Sequence, residues 1–127
     1  MHYALYRSGC ILLASLFFIS SLLKITTFTH VATYMESLGI PFATAAVVLT
    51  ILVEAIAGLA LMLGWHTRAA ALILTLLTVA AMFTAHRFWE ADASNLQNQL
   101  NHFLKNLSII GGLLIVAAAL PNKTSNH

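Results

Sequence analysis

Charge is what this chain has least of. Only 8% of its 127 residues are Asp, Glu, Lys or Arg, against about a quarter in a soluble globular domain, so a water-facing surface cannot be assembled around a core. The six basic residues stand singly, which excludes the basic cluster that binds nucleic acid or an acidic surface. One cysteine, Cys10, excludes an internal disulfide and a C-x-x-C redox pair; set in an apolar run, it reads as a small buried hydrophobe. The histidines form no H-x-x-x-H or H-E-x-x-H pair, and no cysteine joins them, so no protein-built metal site is expected. P-loops, dinucleotide fingerprints and nucleophile elbows are missing as well.

What the chain does have is apolar length, at 60% hydrophobic residues. Phe42 to Gly64 holds no Lys, Arg, Asp, His or Pro. At ~1.5 Å per residue it is long enough to cross a hydrocarbon layer of about 30 Å. Similar runs predict an all-α fold, a four-transmembrane-helix antiparallel bundle. The helices fall at about 8–25, 42–64, 69–87 and 103–120 of a single integral-membrane domain, 1–127. The first run follows Arg7 as a secretory signal would, but no A-x-A-like site follows it, so it is read as a retained helix. Trp65-His66-Thr67-Arg68 is too short a link for anything but antiparallel neighbours. A short interfacial helix is expected from about Val31 to Leu38, ahead of a turn at Leu38-Gly39-Ile40-Pro41. The second long loop, about Glu90 to His102, is acidic and then amide-rich. Four spans put both termini on one side. If Lys24 and Lys105 belong to a buried site, the remaining Lys and Arg residues place the termini in the cytoplasm.

One acid interrupts the second span. An ionisable group at the centre of a membrane helix costs roughly 2.5–3.5 kcal/mol on insertion scales, so Glu54 needs a partner or a task. Helical spacing places Thr50, Glu54 and Gly58 on one face, and Ser20 with Lys24 on one face of the first span. It does the same for Thr75, Thr78, Met82 and His86 on the third span, and for Lys105, Ser108 and Gly112 on the fourth. Turned inward, these stripes form a polar funnel open to the long-loop side, with Glu54 as its floor roughly 18 Å down. Lys24, His86 and Lys105-Asn106 stand nearer its mouth.

Each of these residues has a plainer reading. Lysines near helix ends snorkel to the interface, and His86, Tyr34, Trp65 and Trp89 suit an aromatic belt. His30, His66 and His102 fit solvated loops, and Gly111-Gly112 fits a packing notch. Glu54 has no nearby interface to reach, so for it an ion pair or a functional role is the stronger reading.

The segments SLFFISSLLKI, YMESLGIP, VEAIAGLALMLGWHTR, HRFW and FLKNLSIIGGLL, in that order over about residues 9–118, resemble the DoxX family, in particular its small inner-membrane proteins. The resemblance implies a multi-pass protein of the bacterial inner membrane. The family is named for a subunit associated with thiosulfate:quinone oxidoreductase, and other members are linked to oxidative-stress or membrane redox complexes. The positions matching its recurrent polar motifs are Lys24, Glu54, His86, Trp89, Lys105 and Asn106. The sequence has neither the soluble partner subunit nor a redox centre. The resemblance therefore implies a non-autonomous subunit with a polar intramembrane site, lying in the lipid bilayer and working with a membrane or soluble redox partner protein. The cofactor stays unassigned, with a quinone as the candidate, and a homo-oligomer stays open. Two alternatives stand beside this reading: a transporter of a proton or small solute, and a purely structural assembly subunit.

Overall fold

The computed structural model describes residues 2–84 and 92–119. These form five helices and no strand: α1 (His2–Thr26), α2 (Phe28–Ser37), α3 (Ala43–Leu63), α4 (Thr67–Thr84) and α5 (Leu96–Ala118). All but α2 are long and apolar enough to cross a membrane.

Local chemistry sets the breaks. Thr27 leaves helical geometry at φ −116°, ψ 32°, and the chain restarts as the ten-residue α2, which buries no side chain. Gly39 at φ +82° makes the turn after α2, a conformation in which glycine has no Cβ to clash. Gly64 at φ +77° ends α3, with the Trp65 N–H donating to the Ala60 carbonyl in a left-handed helix stop. Two helices start earlier than their apolar runs suggest. The segment His2–Arg7 extends α1, and the amide-rich Leu96–His102 is the first part of α5 rather than loop. Neither stretch has an apolar face to announce a helix, yet Gln and Leu are good helix formers. Asp92 closes the turn ahead of α5 by accepting from the Ser94 hydroxyl at 2.9 Å and the Asn95 N–H at 3.1 Å.

The helices neighbour one another in the order α1, α3, α4, α5, with the tightest packing in the pairs α1–α3 and α4–α5; among the described residues α1 does not touch α4, nor α3 α5. The register is antiparallel. Arg7 at the start of α1 donates to the Met62 carbonyl near the end of α3 at 2.7 Å, Gly58 lies against Ala14 and Phe17, and Lys24 meets Glu54. On the other pair, Arg68 Nε donates to the Ala117 carbonyl at 3.0 Å, and the rings of Phe83 and Phe103 meet edge to face. A Cβ on Gly58 would sit 3.4 Å from both the Ala14 carbonyl oxygen and the Phe18 nitrogen. The absence of that Cβ lets the α1 and α3 backbones approach closely, as small residues do in membrane helix pairs.

The apolar core, centred on Cys10, Ala14, Leu61, Leu74 and Leu113, fills the half of the molecule near the start of α1. Outward positions are as apolar as inward ones: Leu12, Leu76 and Ile115 are all more than two-thirds exposed. That surface would be a liability in water and is the surface a lipid-embedded chain needs. In the other half the core gives way to a cavity.

Candidate functional site

The cavity has a volume of about 460 Å³ and takes wall residues from all five helices. Its polar pole is made by α1 and α3. Ser20 and Lys24 are one turn apart on α1, and the close α1–α3 approach brings them onto Glu54. Lys24 Nζ donates to Glu54 Oε1 at 2.9 Å and to Ser20 Oγ at 2.7 Å, and the Ser20 hydroxyl also faces the carboxylate. Glu54 is 7% exposed and lies eleven residues beyond the start of α3, so ~16 Å along its axis. An isolated charge at that depth would be costly; the pair presents a dipole instead.

Threonines surround this pole. Thr50, one turn from Glu54, donates its hydroxyl proton to the Ala46 carbonyl at 2.8 Å, and Thr78 on α4 donates to Leu74 at 2.7 Å. Both protons are held by their own helices, so each oxygen faces the cavity as an acceptor. Asn106 on α5 completes the polar lining. Ile40 and the α2 residues Val31, Tyr34 and Met35 wall the cavity near the interface.

Glu54, Lys24 and Asn106 are therefore brought to one cavity, together with Ser20, Thr50 and Thr78 from the expected stripes. Lys105 is exposed and does not line it. On α5 the inward line is Asn106, Ile109, Leu113 and Val116, with Ser108 exposed and Gly112 against Leu13. Two stripes one residue apart fit the same sequence, and the apolar one is the one that packs. His86 and Trp89 lie outside the described residues. Among the described residues no three of His, Cys, Asp and Glu gather as a metal site would require.

Sequence reasoning missed two features. Tyr34 reads as a belt aromatic, but α2 folds it against the cavity; the apolar spacing of Val31, Tyr34 and Met35 was the available signal. Arg7 and Arg68 read as flanking charges, but each reaches the last-turn carbonyls of a neighbouring helix. There a cation satisfies acceptors that the helix end leaves free.

Comparison with known proteins follows the same residues. The DoxX family matches residues 9–87, a span that includes Ser20, Lys24, Thr50, Glu54 and Thr78. The chain belongs to the DoxX family. It is 28% identical over 110 residues to the inner membrane protein YphA of Escherichia coli (strain K12), covering 87% of this chain and 79% of that protein. It is 34% identical over 115 residues to the inner membrane protein YqjF of the same organism, covering 91% and 83%. No solved structure matches. In this DoxX-family chain the family match covers the polar pole and ends before Asn106, so the α5 wall lies beyond it.

Proposed function

We propose that this DoxX-family protein is an inner-membrane subunit whose cavity holds the polar head of a small amphiphile, a quinone-type ring being the leading candidate, for a redox partner. The observation that carries the reading is the Lys24–Glu54 pair, set in the wall of a cavity of about 460 Å³. That volume lies in the range of small-molecule sites, which combine mostly apolar walls with a few convergent polar groups. Lys24 supplies a donor and Glu54 an acceptor able to exchange a proton. The chain is a subunit in this reading, with electron transfer left to the partner. The Lys and Arg residues outside the cavity favour cytoplasmic termini, since Arg7 and Arg68 both stand at that end.

The test is to purify the full chain in mild detergent and analyse the co-purifying lipophilic molecules by mass spectrometry. A polar-headed amphiphile is expected with the wild type and is expected to fall several-fold in K24M and E54Q at equal amounts of folded protein. If the extract matches that of an unrelated four-span protein, and added alkyl quinones do not bind, the reading fails.

A second reading is kept because the pair is internally satisfied: a buried ion pair can serve only to hold helix register. In that case a K24M/E54Q double variant keeps both its stability and any bound amphiphile.

A further inference from the structure

Hydrogen-bond polarity in the cavity narrows the ligand, provided that the cavity holds an amphiphile's head as proposed above. A hydroxyl has one proton to give and two lone pairs to offer. The protons of Thr50, Thr78 and Thr84 all go to carbonyls one turn back on their own helices, Ala46, Leu74 and Ala80, and all three residues line the cavity. Ser20 Oγ already accepts from Lys24, and its hydroxyl faces Glu54. The ammonium of Lys24 spends two of its three protons on Ser20 and Glu54. The Glu54 carboxylate has about four acceptor sites, and Lys24 and Ser20 occupy no more than half of them. The amide of Asn106 makes no side-chain hydrogen bond among the described residues, so it offers donors and an acceptor alike. Three threonine oxygens and the spare carboxylate lone pairs thus outnumber the donors left by Lys24 and Asn106.

A ligand that can only accept would leave most of these acceptors unpaired once water is displaced, and an unpaired buried polar group is costly. A ligand with hydroxyl groups would satisfy them. We infer that the cavity selects a neutral head group that donates hydrogen bonds, a hydroxyl-bearing ring of the hydroquinone type, over the carbonyl-only form of the same ring. Selection of this kind is strong because the penalty falls on the site when the proton is missing.

The experiment uses the full chain in lipid nanodiscs and three matched probes: decylhydroquinone under anaerobic reducing conditions, its O,O-dimethyl ether, and decylbenzoquinone. Binding is measured by quenching of tryptophan fluorescence and by titration calorimetry. The hydroquinone is expected to bind at least tenfold more tightly than either of the others. Replacing Thr50 or Thr78 by valine keeps side-chain shape and removes the acceptor. Each of T50V and T78V should reduce that preference several-fold and leave benzoquinone binding unchanged, a pattern that loss of folding would not give. Equal or tighter binding of the quinone or the ether overturns the inference and leaves the amphiphile-site reading standing. So does a preference that survives T50V, T78V and E54Q. Absence of binding by all three probes overturns both.

Discussion

Lys24 and Glu54, thirty residues apart in sequence, meet at 2.9 Å across the α1–α3 interface, with the lysine side chain 22% and the glutamate side chain 9% exposed. The contact requires Lys24 to turn into the protein instead of out to the interface, and Ser20 holds it there. Breaking a buried pair from one side leaves the other charge uncompensated and costs roughly 3–5 kcal/mol, whereas replacing both by neutral groups is often close to neutral. K24M and E54Q are each expected to unfold at a clearly lower denaturant concentration in mixed micelles. The K24M/E54Q double variant should recover most of the loss. Additive losses in this double-mutant cycle would show that the two side chains are not coupled.

The contact depends on how close the backbones of α1 and α3 come at Gly58. A Cβ there meets the Ala14 oxygen and the Phe18 nitrogen at 3.4 Å, so G58A should cost little, a shift of a few tenths of an ångström being enough. G58L cannot be accommodated without parting the helices, and overpacking of this kind costs about 1–3 kcal/mol. The prediction is that G58L lowers stability and also uncouples the pair: K24M, strongly destabilising in the wild type, adds little in the G58L background. Full coupling retained in G58L would mean that the helix approach at Gly58 does not set the pair.

The spans were legible in the sequence because their apolar runs are long and the gaps between them polar, and Glu54 stood out because nothing within reach could hydrate it. Its partner was not legible. A lysine at position 24 satisfies both an interfacial anchor and an inward turn, and only the α1–α3 register chooses between them. The α5 wall shows the same ambiguity, since Lys105-Ser108-Gly112 and Asn106-Ile109-Leu113 are both helical stripes, and packing of Leu113 into the core selects the second. The start of α5 was hidden for another reason. Amide-rich segments carry no hydropathy signal, so helix propensity alone had to mark Leu96–His102.

Arg7 secures the opposite end of the same helix pair. Its guanidinium donates to the Met62 carbonyl at 2.7 Å and to the Leu61 carbonyl at 3.4 Å, and it packs against Gly64. A charged hydrogen bond contributes about 1.5–3 kcal/mol. R7M should lose stability of that order, and R7K should recover only part of it, because a lysine ammonium lacks the planar fork. G64A should be destabilising on two counts: its φ of +77° disfavours a Cβ, and that Cβ would stand 3.1 Å from an Arg7 nitrogen. Thermal unfolding in detergent, followed by circular dichroism, measures all three. Equal stability of R7K and wild type would reduce Arg7 to a point charge.

The turn ahead of α5 carries a pH dependence whose sign can be worked out. Hydrogen bonds from the Ser94 hydroxyl and then the Asn95 N–H favour the Asp92 carboxylate and hold its pKa below the usual aspartate value. A depressed folded-state pKa stabilises the turn above the unfolded value, and the contribution disappears as pH falls through the folded one. Protonation removes acceptor strength from the group that closes the turn, so the first residues of α5 should fray in acid while the membrane-embedded part stays helical. The expected result is faster amide hydrogen exchange at Asn95 once pH drops below the normal aspartate range, after correction for intrinsic rates, and no such acid step in D92N. The amide of D92N keeps an acceptor oxygen without the titrating charge, so an acid step that persists in D92N would assign the effect to another group.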